Sequence, residues 1–208
     1  LIVWPDGHRD ATTAVSWLQG PTLYADLRAP ADRPSFSGVS GLNTLTLEHM
    51  AWLAKQEGFA GRLFFDGQFF EWQRAVDYQP ASAQADAGRL WFEDGRMIEE
   101  GRDVPYIEHW HRDGSEAQMP CGALQLFGRS DGCAGFLIRV GPFFMYARDR
   151  TLPLPAGVTL AECVRAASLE DARAMVDCEL SFGRVSSSGW LIQSSSLPYR
   201  EGARLWPE

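Results

Sequence analysis

Along this chain, apolar and polar residues alternate in short runs, and turn-forming pairs separate the runs. Asp-Gly stands at 6–7, 66–67, 94–95, 113–114 and 131–132, and this pair suits the tight turns that join antiparallel strands. Arg62 to Asp66 and Gln68 to Val76 flank one such turn; Arg89 to Glu93 and Arg96 to Glu100 flank another. Both read as hairpins. The pattern places further strands at Thr12–Leu18, Thr22–Arg28, Val104–Arg112 and Ala123–Phe127. It adds Gly135–Val140, Phe143–Asp149, Cys178–Val185 and Gly189–Ser194 in the second half. Helical periodicity is confined to three stretches. Thr44–Gln56 carries Leu45, Leu47, Met50, Trp52 and Leu53 before Gly58. Thr159–Ala166 reads as a second short helix, and Ser168 as the N-cap of a third. Many short strands at close spacing predict a mainly β, antiparallel barrel occupying residues 1–208 as one domain, with a sandwich as the competing architecture.

Alternation sends successive side chains of a strand to opposite faces. On Thr22–Arg28, Leu23, Ala25 and Leu27 take one face, and Tyr24, Asp26 and Arg28 the other. One face of Gln68–Val76 carries Gln68, Phe70, Trp72, Arg74 and Val76. One face of Val104–Arg112 carries Val104, Tyr106, Glu108, Trp110 and Arg112; the opposite face carries Ile107, His109 and His111. Aromatic rings mixed with ionisable groups on one face suit a ligand cavity. Trp72, Tyr106 and Trp110 are the expected apolar walls, and Arg28 and Arg74 the expected anchors for an anionic group. Glu108 or Asp26 would orient or deprotonate the ligand, with His109 and His111 as further catalytic candidates. The plain alternative is that Arg74 and Glu108 form an ion pair while the tryptophans pack as core.

Composition narrows the partners. With 27 acidic against 19 basic residues, the net charge is −8, which disfavours nucleic acid and anionic membrane surfaces. Eight Trp and twelve Phe allow a large core or a lined cavity. No apolar run is long enough for a transmembrane helix, and no signal peptide is evident, although a start at Leu1 leaves a removed segment open. Cys121, Cys133, Cys163 and Cys178 form no C-x-x-C pair. They read as reduced thiols of a cytoplasmic protein, with a disulfide in an exported protein as the minority alternative.

The densest chemical run is Tyr106 to Arg112. His109 and His111 share a strand face and are spaced to chelate one metal. With Gly101 before them and Glu116 and Gly122 after, the order echoes a cupin motif. No histidine follows His111, so the second cupin motif is missing. Cofactor-free acid–base chemistry, in a lyase, isomerase or hydrolase, is the other option, since a carboxylate beside a histidine tunes its titration. Glu99, Glu100, Glu108, Asp77 and Asp26 are the available partners. The sequence holds no G-x-S-x-G elbow, no P-loop, and no G-x-G-x-x-G after an expected strand, so no organic cofactor is expected.

Several of these residues also fall into a recognisable order. Asp6-Gly7-His8, Phe59-Ala60-Gly61, Trp72 with Asp77, and Ile98-Glu99-Glu100-Gly101 leading to Glu108 and Trp110 resemble the fungal HRI-type proteins. That resemblance implies calycin-like β-barrels similar to lipocalins. It supplies no catalytic residues, because the family has no agreed set. The expectation is thus a calycin-like barrel that takes a small, partly polar or anionic molecule in its lumen. A homodimer is left open, and a non-catalytic interaction protein with a filled barrel is the further alternative.

Overall fold

A computed structural model describes residues 1–112, 119–127 and 132–205. Asp113-Gly114, Glu116 and Asp131 lie outside the described residues. The chain is mainly β and forms two antiparallel sheets. The first contains β1 (Ile2–Val3), β2 (Arg9–Asp10), β3 (Ala14–Gln19), β4 (Leu23–Ala29), β5 (Glu57–Phe65), β6 (Phe70–Asp77), β7 (Ala87–Glu93), β8 (Arg96–Gly101) and β9 (Ile107–Trp110). Their order is β2-β1-β9-β8-β7-β6-β5-β4-β3. The second runs in sequence order through β10 (Cys121–Leu126), β11 (Gly135–Val140), β12 (Phe143–Arg148), β13 (Glu179–Ser186), β14 (Gly189–Ser195) and β15 (Arg204–Leu205). Both hairpins form where Asp-Gly expects them; at the second turn, Asp94 and Gly95 take φ of 49° and 75°, the left-handed pair such a turn needs.

Three short helices complete the fold: α1 (Leu47–Leu53), α2 (Leu160–Ala166) and α3 (Leu169–Val176). Each starts at a side-chain cap. Thr46, Thr159 and Ser168 accept from the backbone N–H three residues on, satisfying one otherwise orphaned donor.

The faces of β4 divide as alternation expects. Leu23, Ala25 and Leu27 enter a core that also takes Phe136 and Ile138 of β11, Met145 and Ala147 of β12, Leu180 of β13, and the apolar faces of all three helices. This core joins the two sheets. On the other face, Tyr24, Asp26 and Arg28 look across a hollow around which the first sheet curls. The curl is tight enough for β4 and β3 to face β9, although four strands separate β4 from β9 in the ladder. Arg28 reaches Glu108 at 3.4 Å, and the rings of Trp17 and Trp110 lie 5.4 Å apart. Among the described residues no ladder closes either sheet, so the expected barrel is met in its strand content and antiparallel order but not in a closed ring.

One expected strand face is corrected. On β6, Ala60 pairs with Val76 while Gly61 pairs with Arg74, leaving Ala75 as an extra residue. Such a bulge resets the alternation. Trp72 and Arg74 point into the hollow as expected, but Val76 turns into the shared core and Asp77 takes its place beside Arg74.

The bulge needs a glycine opposite it. A Cβ at Gly61 would lie 1.9 Å from the carbonyl oxygen of Gln73, a contact that backbone must move to relieve. Gly61→Ala is therefore expected to lower the unfolding free energy by about 2 kcal/mol or more, as measured by urea unfolding. A loss below about 0.5 kcal/mol, the level of an ordinary surface change, would show that β6 does not need this close approach.

Candidate active site in the curled sheet

The hollow of the first sheet is a cavity of about 180 Å³, comparable to the ~150 Å³ pockets that accept a benzene ring. Its aromatic walls are Trp4, Trp17, Phe59, Trp72, Tyr106 and Trp110, and its ionisable groups are Asp26, Arg28, Glu57, Arg74, Asp86, Glu99 and Glu108. Phe59 and Trp72 of its wall pack against the buried Tyr24.

The charges form two interlocked groups. In the first, the Arg28 Nε donates to Asp26 at 2.9 Å, while its terminal nitrogens approach both oxygens of Glu108 at 3.4 and 3.5 Å. The guanidinium lies between the rings of Phe59 and Trp110, 5.6 and 5.7 Å from their centroids. In the second, Arg74 donates to Asp77 at 2.9 Å and to Asp86 at 2.5 Å, and sits 3.6 Å from the centre of the Phe59 ring. Phe59 is thus stacked by both arginines. Cation–π contact of this kind is worth most where water is excluded.

Glu99 stands apart from the arginines. It accepts from the Tyr106 hydroxyl at 2.5 Å and from the Trp110 indole at 2.9 Å. Gly101 makes this possible, because a Cβ there would lie 2.5 Å from the Tyr106 ring. Burial pushes the carboxyls of Asp26, Asp77 and Glu99 up. Arg28 opposes this most at Asp26, Arg74 at Asp77, and the Tyr106 bond at Glu99. Glu108 rises to about 7: burial raises it, Arg28 works against that, and the neighbouring charges of Glu99 and Asp26 raise it further. The carboxylates in turn hold Arg28 and Arg74 charged, against the cost of their burial.

The structure therefore brings Asp26, Arg28, Trp72, Arg74, Tyr106, Glu108 and Trp110 to one cavity. It does not bring the histidines there. The alternation that turns Tyr106, Glu108 and Trp110 inward directs His109 to the other face of β9, and neither His109 nor the exposed His111 lines the cavity. His8 packs at a tilt against Trp4, and His49 stacks on Phe36 and bonds Ser35. Among the described residues, no three His, Cys, Asp or Glu side chains group as a metal site. The cupin-like reading thus leaves its His pair without a third described ligand.

Sequence reasoning missed Trp4, Trp17, Glu57, Phe59 and Asp86 as lining residues, and placed Glu99 as a histidine's neighbour and within the resemblance, not on the cavity wall. Trp17 was within reach, since it stands opposite Asp26 across the β3–β4 ladder and must share its face. Asp86 carried no signal. It precedes β7, and the pairing of β6 with β7 at Phe70–Gly88 and Glu71–Ala87, with the Trp72 N–H donating to the Asp86 carbonyl at 2.8 Å, puts it beside Arg74. Beside those pairs lies a second hollow of about 430 Å³, bounded by Trp72, Arg74, Asp77, Asp86 and Tyr106, of which Trp72, Arg74, Asp86 and Tyr106 also line the first.

Comparison with family models, curated proteins and solved structures returned no match. No helix among the described residues is long and apolar enough to cross a membrane.

The raised Glu108 carboxyl has a consequence for stability. Folded Glu108 holds its proton up to about pH 7, whereas the unfolded group loses it near the ordinary 4.5. Between these values the native state binds more protons, so stability falls as pH rises through that window, by up to about 3 kcal/mol from this group. The raised pKa values of Asp26, Asp77 and Glu99 act in the same direction. Urea unfolding between pH 5 and 8 should show this decline, and Glu108→Gln should flatten it; an equally steep decline in the variant would exclude Glu108 as its source.

Proposed function

We propose that this protein binds a small, partly polar organic molecule in the cavity of its curled first sheet. The observation that carries the reading is the composition of that cavity: a space the size of one ring system, walled by six aromatic side chains and set with fixed, internally paired charges. A filled structural core does not need such a lining, because buried ion pairs rarely stabilise more than apolar residues of the same volume. The residues of the fungal HRI-type resemblance support the same place. Phe59, Trp72, Glu99, Glu108 and Trp110 all border it, and Asp77 holds Arg74. Membership of that family and its calycin-like barrel are part of the proposal. So is a cytoplasmic setting, which the four free cysteines favour.

The expected anionic ligand has less support than a neutral or cationic one. Arg28 and Arg74 each face two carboxylates already, so neither guanidinium is left to receive an anion.

The test uses the tryptophans as reporters. In two-dimensional NMR spectra, a fragment library of ring compounds with up to about ten heavy atoms should shift the indole N–H signals of Trp17, Trp72 and Trp110. Trp52 in the shared core and Trp190 in the second sheet should stay in place. A library that leaves the cavity indoles unmoved would remove the ligand-binding reading.

A second reading, cofactor-free acid–base catalysis, is favoured by Glu108, whose carboxyl titrates near neutral pH beside a fixed guanidinium. A general acid or base works best when its pKa lies near the working pH. Glu108→Gln should then abolish turnover of a cavity ligand while its binding stays detectable. Full activity in that variant would take Glu108 out of the mechanism.

A further inference from the structure

We infer that the cavity selects a small organic cation, an amine or ammonium carried on a ring or short chain, and that Glu108 is its counter-charge. This rests on the ligand-binding reading above and narrows it to one chemical class.

The argument begins with the charge balance of the walls. Five carboxylates line the space: Asp26, Glu57, Asp86, Glu99 and Glu108. Among the described residues, only two cations, Arg28 and Arg74, line it with them. Asp77 adds a further carboxylate on Arg74. The two guanidiniums are therefore outnumbered at their own positions, and the cavity holds an excess of negative charge in a partly dehydrated space. Aromatic faces add to this, since their negative centres attract cations and offer nothing to an anion. Arg28 over Phe59 and Trp110, and Arg74 over Phe59, show these rings already used in that manner.

Glu108 is the carboxylate best able to respond to a ligand. Asp26 receives the shortest Arg28 contact, and Glu99 is held by the donors of Tyr106 and Trp110. Among the described residues, Glu108 has only the longer contacts to Arg28, at 3.4 and 3.5 Å. The groups that face it are Arg28 and Asp26 from β4, Glu99 from β8, Tyr106 just before its own strand, and the Leu1 amine beside β1. In the empty cavity a proton offsets the excess charge at Glu108. A bound cation takes over that role, so binding displaces the proton into solvent.

The dimensions set the size of the cation. About 180 Å³ accommodates a benzene-sized ring with a short substituent.

Three matched probes decide the question with the full chain: benzylamine, benzyl alcohol and benzoate, titrated by calorimetry and followed by the cavity indole signals. Benzylamine is expected to bind at least about tenfold more tightly than benzyl alcohol, with benzoate weakest. Because the cation needs Glu108 ionised and that group titrates near 7, benzylamine affinity should rise about tenfold from pH 6 to pH 8. Proton release should be visible as a dependence of the heat on the buffer. Glu108→Gln should remove the pH dependence, and Glu57→Gln, at an exposed position of the cavity wall, should weaken benzylamine without altering benzyl alcohol. Benzyl alcohol or benzoate binding as well as benzylamine would overturn the cation inference and leave the ligand cavity standing. A benzylamine affinity that stays level from pH 6 to pH 8 would overturn it as well. If none of the three moves a cavity indole, both readings fall.

Discussion

A single guanidinium organises the first sheet. Arg28 leaves β4, passes between the rings of Phe59 and Trp110, and meets Glu108 on β9. No backbone ladder connects those two strands; their separation in the sheet is four strands wide. The ion pair, with the Trp17–Trp110 contact beside it, therefore spans a gap that hydrogen bonds in the sheet do not close. Removing Arg28 would leave the buried carboxyls of Asp26 and Glu108 without their cation, and breaking a buried pair in this way costs about 3–5 kcal/mol. That penalty acts on the curvature of the sheet, and the curvature is what makes a cavity at all.

The same chemistry makes the hollow expensive to build. Six carboxylates around two arginines would repel one another if all were ionised, and the cavity answers by keeping part of its charge protonated. Apolar residues of similar volume would occupy the same space at lower electrostatic cost. Retaining charged groups in a space that apolar residues could fill is the pattern expected where a site trades stability for recognition. At its contact with the first, the second sheet sets Phe136, Ile138, Met145 and Leu180 in apolar packing, flanked by buried polar links in which Arg150 donates to the Tyr78 carbonyl and Gln56 to the Ser196 carbonyl.

Much of this was legible in the sequence. The two Asp-Gly hairpins, the three capped helices and the strands of the second half follow from local turn chemistry and periodicity, which act over a few residues. The clean alternation of β4 gave both of its faces, and so placed Asp26 and Arg28 in the hollow. The rest depended on long-range geometry. His109 and His111 drew attention because they stand together, yet a period of two turns them away from Glu108. Asp86 and Trp4 belong to no regular strand, so only the tertiary path of the chain brings them to the cavity. Sequence also treated the two arginines as free anchors. That each is held by two carboxylates, from residues as far apart as 28 and 108, is a property of the folded sheet.

The extra residue in β6 has a further consequence. Before Ala75 the strand serves the cavity, through Trp72 and Arg74; after it, Val76 serves the core between the sheets, and Asp77 returns to Arg74. One strand is thus written in two reading frames, joined at a residue that pairs with nothing across the ladder. Substitutions in the first frame change what the hollow can hold without reaching the apolar contact that joins the two sheets. Within one strand, the bulge separates the side chains that shape the hollow from the one that packs between the sheets.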